Sequence, residues 1–235
     1  MLLKRISDNV KQLGVTNGVL YLTHRALLAA SGGKAKFVRY FLVAQPVPGR
    51  TADRVRASAS STTGLIAPDD PITAVFPRTQ EVIAKRFADG DQCIVANSGK
   101  RFAGFIWIAR NHYSEDEVRC LYHLENPRTT AWDYDVYVEP DFRIGRTFAR
   151  LWDTANKHLS SDGVEWSISR ISAFNPASLQ AHRRLGIQTL CTANFLCLGS
   201  FQLMIASTRP YLHVSLTPNS RPTLSLAPQE SEPGK

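Results

Sequence analysis

Residues 131–138 read Ala-Trp-Asp-Tyr-Asp-Val-Tyr-Val and run up to Pro140, a pattern that predicts a β-strand ended by the proline. Side chains of a strand alternate between faces, so Asp133 and Asp135 are expected on one face, with Tyr137 and Glu139 following them. Carboxylates so placed can take a proton from a nucleophile or hold an ammonium group; the plainer reading is a pair of solvated acids near a strand end. Just beyond lies Arg143-Ile144-Gly145-Arg146-Thr147-Phe148. A strand that runs through a short turn into a helix aims several backbone N–H groups along the positive end of the helix dipole, a ready site for a pyrophosphate. Arg143 and Arg146 would add charge to it. His123 and Glu125, ahead of the strand, could also move protons, but no motif accompanies them.

These residues need a scaffold, and the pattern supplies one. Apolar residues at helical spacing predict two short helices within residues 2–31, broken at Gly14 and Asn17-Gly18. The aromatic and β-branched run 37–43, closed by Pro46 and Pro48, predicts the first strand. Residues 49–78 are rich in Ser, Thr, Arg and Pro, with a helix expected only over 51–60. A helix follows over 79–88 with Thr79 as N-cap, then a hairpin of 92–96 and 102–109. Past the strand 131–138 come a helix over 147–159, a strand over 165–171, a helix over 177–185 opened by Pro176 and closed by Gly186, and a strand pair, 195–198 and 201–206. From Thr217 onward Pro and Ser dominate, and a disordered tail is expected. The order is that of a mixed α/β layer with helices packed on a sheet.

Composition narrows the class. With 235 residues and 43% hydrophobic content the chain can bury one substantial core. The apolar run 19–30 is interrupted by His24 and Arg25, which argues against a membrane span and against a secretory leader. Cys93, Cys120, Cys191 and Cys197 form no CxxC pair and have no histidine at zinc-finger spacing, so neither a metal site nor a disulfide framework is expected and a reducing cytoplasm is the default. The net charge of +8 is concentrated at one end: residues 1–60 hold ten of the 28 Lys and Arg but two of the 20 acids, and the remainder balances. Such an end attracts phosphates, anionic lipid heads or an acidic protein, or simply keeps the chain soluble. No base-reading motif accompanies the charge, so nucleic acid is not the expected partner.

Three segments, in this order, resemble the GNAT superfamily of N-acetyltransferases. Phe102-Ala103-Gly104-Phe105-Ile106 is similar to the family's third strand, with its glycine in an apolar run. The stretch from Val136 to Phe148 is similar to its fourth strand, proline corner and pyrophosphate loop. Asn175-Pro176-Ala177-Ser178, followed by His182-Arg183-Arg184-Leu185-Gly186-Ile187, is similar to its Asn-led fourth helix. The loop departs from the usual Arg/Gln-x-x-Gly-x-Gly/Ala in keeping one glycine, Gly145, and bulkier side chains narrow the approach of backbone to phosphate.

The resemblance implies a GNAT-like mixed central β-sheet flanked by helices over residues 37–213, with an N-terminal helical extension, 1–36, and a tail, 214–235. It implies an acyltransferase that carries an acetyl or other acyl group from acyl-CoA, a cosubstrate rather than a bound cofactor, to a primary amine of a small molecule. Backbone N–H groups of Val136, Tyr137 or Val138 would polarise the thioester, and Arg143, Ile144, Gly145, Arg146, Thr147 and Phe148 would hold the coenzyme. Asp135 stands where the family often has an acid contacting the amine, with Asp133 beside it. Asn175 would bond the pantetheine or cap its helix. His182 stands where the family often has a tyrosine that protonates the leaving thiolate; imidazole can do the same near neutral pH, or the ring only packs there. Two other readings stay open: a long-chain N-acyl amino acid synthase using long-chain acyl-CoA or acyl carrier protein, the latter docked on the Lys4, Arg5 and Lys11 cluster, and a non-catalytic GNAT-shaped acyl-CoA-binding module. Neither the acceptor nor the oligomeric state is legible, and the N-terminal helices could cover the sheet, meet a second copy or touch a membrane surface.

Overall fold

A computed structural model describes residues 12–49 and 60–229. The basic cluster at Lys4, Arg5 and Lys11 and the helix expected over 51–60 lie outside the described residues. The elements are α1 (Val15–Ala30), β1 (Ala35–Pro46), β2 (Ser61–Leu65), a 3-10 turn (Pro71–Val75), α2 (Gln80–Ala88), β3 (Gln92–Ser98), β4 (Arg101–Ala109), β5 (His112–Ser114), β6 (Leu121–Leu124), β7 (Thr130–Val138), a 3-10 turn (Pro140–Phe142), α3 (Thr147–Ser161), β8 (Trp166–Ser172), α4 (Pro176–Arg183), β9 (Gln188–Leu198), β10 (Phe201–Ala206), β11 (Leu212–Ser215) and β12 (Thr223–Leu226). The mixed α/β class expected from the pattern is the class found. The described residues divide into two compact units, one within 12–45, 112–125 and 168–229, the other within 46–49, 60–111 and 126–167.

In the first unit the strand order is β11-β10-β9-β1-β8, and β12, β6 and β5 form a second, three-stranded sheet. β1 pairs antiparallel with β9 from Ala35 opposite Leu198 to Ala44 opposite Gln188. Ala173 N–H donates to the Arg39 carbonyl, which ties the other edge of β1 to the end of β8. The strand that comes first in the sequence is therefore an interior strand of its sheet. α1 runs unbroken through Asn17-Gly18; the break lies at Gly14, whose φ of 76° favours glycine, and Gly18 is buried, so that dipeptide serves packing instead of a turn. Tyr21 and His24 of α1 meet Phe174, with ring centroids 5.6 and 5.7 Å apart.

The expectation of a disordered tail from Thr217 onward is corrected at Thr223–Leu226. Beneath the Pro and Ser content lies an alternation, Thr223-Leu224-Ser225-Leu226, that pairs parallel with β6 and buries both leucines. Within this unit Glu115, whose side chain is wholly buried, accepts from Arg170 at 2.5 Å, and Arg170 lies 4.4 Å over the Tyr40 ring, whose hydroxyl donates to Glu117. Burial pushes the Glu115 carboxyl above its ordinary range against the pull of Arg170, and the same partnership raises the arginine.

In the second unit the order is β7-β4-β3-β2. α3 lays Leu151, Ala155 and Leu159 on Ile94, Ala96, Ile106 and Ile108 to make the core of that side, while Phe148, expected on the same stripe, is 51% exposed. α2 covers the other face, with Phe87 against Trp107 at 4.9 Å. Thr79 caps α2 as expected, its hydroxyl accepting from Val82 N–H at 3.4 Å. β2 was not legible: Ser-Thr-Thr-Gly-Leu has little to bury, and it forms by adding to the edge of β3.

Candidate functional site

The site builds from the meeting of β4 and β7. Gly104 is the residue that permits it, because a Cβ there would stand 2.3 Å from the Tyr137 carbonyl oxygen. That close approach accompanies a bulge. Trp107 lies opposite Tyr134 and Phe105 opposite Tyr137, so β7 carries one residue more than β4 over this stretch. The extra residue falls at Asp135, at φ 47°, which among the described residues is the one non-glycine with positive φ.

The bulge corrects the expectation that Asp133 and Asp135 share a face. Asp133 lies opposite Ile108, in the core under α3, where it is 6% exposed and accepts from the Ser167 hydroxyl at 2.5 Å. Asp135 is turned to the α2 face. There Arg78 holds both carboxylate oxygens, Nε at 2.8 Å, and Arg86 Nη1 adds a contact at 2.6 Å. Arg86 also lies 5.1 and 4.9 Å over the Trp107 and Tyr134 rings. The two arginines precede Asp135 by roughly fifty positions, and no local pattern in the sequence pairs them with it.

Beyond the bulge the ladder sorts the backbone groups. Glu139 N–H donates to the Ala103 carbonyl at 3.0 Å, and Tyr137 stands in the same register opposite Phe105, so its N–H is directed at β4. Val136 and Val138, whose side chains pack toward the α3 core, direct their N–H groups to the opposite edge of β7. The Val138 carbonyl on that edge accepts from Arg143 Nε at 3.0 Å. Of the three N–H groups considered in the sequence, Tyr137's is thus spent within the ladder.

The loop that follows is exposed from Arg143 to Arg146. Arg143 and Gly145 N–H groups close on the Pro140 and Phe142 carbonyls, and Ile144 turns its side chain wholly outward, leaving the loop unfilled by it. α3 then begins without a side-chain cap and without an acid in its first turn; its first internal bond is Arg150 N–H to the Arg146 carbonyl at 2.9 Å. The N–H groups of Thr147, Phe148 and Ala149 therefore have no acceptor within the helix. Among the described residues Arg143 and Arg146 make no ion pair, whereas Arg101, close by, is paired with Asp141 at 2.6 Å. Uncapped N–H groups, a helix dipole and two guanidinium groups with no carboxylate partner, Arg143 held by its Nε bond to the Val138 carbonyl, fit a pyrophosphate.

Asn175 and His182 belong to the first unit. Asn175 caps α4, its Oδ1 accepting from Ser178 N–H at 3.1 Å, so the capping role is present. His182 Nδ1 sits 2.8 Å from the Ser178 carbonyl, which makes Nδ1 the protonated nitrogen of the neutral ring and leaves Nε2 with a lone pair. His182 can therefore deliver a proton from Nε2 only as imidazolium. Cys93, Cys120 and Cys191 are buried free thiols, and burial pushes Cys191 up to about 12 and the other two higher. Among the described residues no group of three or more His, Cys, Asp or Glu could hold a metal, and no helix is long and apolar enough to cross a membrane.

No family model matches the chain, and no curated protein matches it. The solved structures it is similar to include GNAT acetyltransferases. A functionally unknown conserved protein from Staphylococcus epidermidis shares 11% identity over 74% of this chain and 66% of its own, at a TM-score of 0.46. A GNAT-family putative acetyltransferase from Novosphingobium aromaticivorans shares 15% over 68% of this chain and 65% of its own, at 0.45. An aminoglycoside acetyltransferase from an uncultured soil metagenomic sample shares 11% over 54% of this chain and 87% of its own, at 0.39. The chain thus spans just under two thirds of the length of the first two. At these scores the likeness carries no argument about activity, which rests on the residues themselves.

Proposed function

We propose that this chain is a GNAT-like N-acyltransferase that moves an acetyl or other acyl group from acyl-CoA to a primary amine of a small molecule. The observation that carries the proposal is the bulged end of β7 leading directly into an uncapped α3 flanked by Arg143 and Arg146. The N–H groups at the uncapped start of α3 and the two arginines take the pyrophosphate. The N–H of Val136 or Val138 donates to the thioester carbonyl oxygen as the amine nitrogen attacks its carbon and negative charge gathers on that oxygen. Collapse breaks the C–S bond. The amine gives up one proton and the thiolate takes one, and His182 in its imidazolium form is the donor proposed for the thiolate. Asp135 has both oxygens engaged by arginine, so the attacking amine's proton leaves to another acceptor or to solvent.

Thermal-shift and calorimetric titrations with CoA, acetyl-CoA and a long-chain acyl-CoA test the proposal, on the wild type and on an Arg143→Ala/Arg146→Ala variant. Saturable binding weakened by the variant supports it, to be followed by an amine-acceptor screen. Absence of binding to all three rejects a CoA donor.

A specific observation favours a second reading. Ile144 and Phe148 expose apolar surface between and beside Arg143 and Arg146, a combination suited to an acidic acyl carrier protein and hence to long-chain N-acylation. Transfer from an acyl carrier protein that fails with acyl-CoA, and that is lost in Ile144→Asp, would select it.

A further inference from the structure

We propose that Arg86 and Arg78 are positioning residues that act through Asp135: by holding its carboxylate they fix the left-handed backbone at residue 135 and so decide which N–H groups β7 spends on β4 and which it turns away from β4. The inference rests on the acyl-transfer reading and adds to it a device in which α2 sets the geometry of the strand.

The register makes the consequence concrete. Without the extra residue, Val136 would stand opposite Phe105 and spend its N–H on β4, and Tyr137 would turn outward in its place. A slip of one residue therefore exchanges both the N–H groups directed away from β4 and the side chains around them. An L-residue at φ 47° is disfavoured unless its surroundings hold it there, and aspartate tolerates that region better than most. Three charge-assisted contacts converge on this carboxylate, two from Arg78 and one from Arg86. Arg86 is itself fixed, its side chain 10% exposed and stacked over Trp107 and Tyr134, one on each of the two paired strands. Gly104 completes the arrangement by admitting the Tyr137 carbonyl.

The decisive comparison is Arg86→Met, Asp135→Gly and the double variant, because glycine adopts the left-handed conformation without any clamp. Arg86→Met should lower kcat by about 100-fold, the scale expected when reacting groups are displaced by about 1 Å, while the KM for acyl-CoA stays within about twofold. Arg86→Met/Asp135→Gly should recover the rate relative to Arg86→Met alone, whereas Asp135→Gly by itself also strands the buried Arg86 cation and should lose stability while its folded fraction keeps the acid limb of the pH profile. A double variant as slow as Arg86→Met overturns the proposal. So does loss of the rate in Asp135→Gly with a flattened acid limb of the pH profile, which would make Asp135 a base. Amide hydrogen exchange at residues 136–138 gives a readout that needs no activity. Arg86→Met should exchange protection between Tyr137 and its neighbours and the double variant should restore it; unchanged exchange in Arg86→Met overturns the clamp even if no donor is ever turned over, whereas restored exchange without turnover faults the acyl-transfer reading alone.

Discussion

Two arginine-bearing regions of this protein handle charge in opposite ways. In the first unit Arg170 is committed to Glu115, Tyr40 and Glu117, and the acid it serves has no contact with solvent. In the second unit Arg143 and Arg146 stand in an exposed loop beside a helix start that nothing caps. The first set is closed on itself and holds the fold; the second is open and can be completed by an anion. The contrast separates two meanings of a basic residue, since removal of a committed one strands a buried partner and removal of an open one leaves the fold intact.

The largest effect should come from breaking the closed set. Arg170→Met leaves Glu115 buried without its cation and should cost about 3–5 kcal/mol of stability, read by urea unfolding, with coenzyme binding of the surviving folded protein unchanged. The pH dependence has a definite sign. The folded carboxyl of Glu115 titrates above its ordinary 4.5, so the native state holds the proton longer than the unfolded chain does. Its contribution is fully present below that value and is lost as pH rises through the folded one; Arg170→Met should extend the loss to higher pH, which unfolding midpoints measured across pH would show.

Gly104→Ala comes next, since the added Cβ meets a backbone oxygen that no side-chain rotation can clear; about 2–3 kcal/mol should be lost, with coenzyme binding weakened as well because β7 must shift. The open set is tested by Arg143→Ala/Arg146→Ala, which should weaken CoA about 30-fold, near 2 kcal/mol, while the melting temperature of the unliganded protein hardly moves. A large stability loss there would erase the distinction between the two regions. The smallest effect belongs to Thr79→Ala, where a long, exposed capping bond should be worth about 0.5–1 kcal/mol in thermal unfolding and nothing in binding.

What the sequence disclosed follows the range over which each feature is encoded. Thr79 as a cap, Gly14 and Gly186 as stops, and the hairpin of β3 and β4 are local signals, and the structure contains them all. The loop from Arg143 to Phe148 could be singled out because the chemistry proposed for it lies in consecutive residues. Asp135 was placed on the wrong side relative to Asp133 because strict alternation assumes a regular strand, and the bulge depends on Gly104 and on Arg78 and Arg86 from elsewhere in the chain. β1 likewise carries nothing in its own residues to say that β9 lies beside it. β12 was lost for another reason: composition over twenty residues outweighed a two-leucine alternation.

That last strand has a consequence for how the molecule is made. β6 emerges roughly a hundred residues before β12, its parallel neighbour, and at about 5–20 residues per second it waits about 5–20 s for that partner during synthesis. Through that interval the Tyr122 and Leu124 strand has an unfilled edge, open to pairing with a neighbouring nascent chain. The three-stranded sheet thus stays half-built until β12 itself has been synthesised.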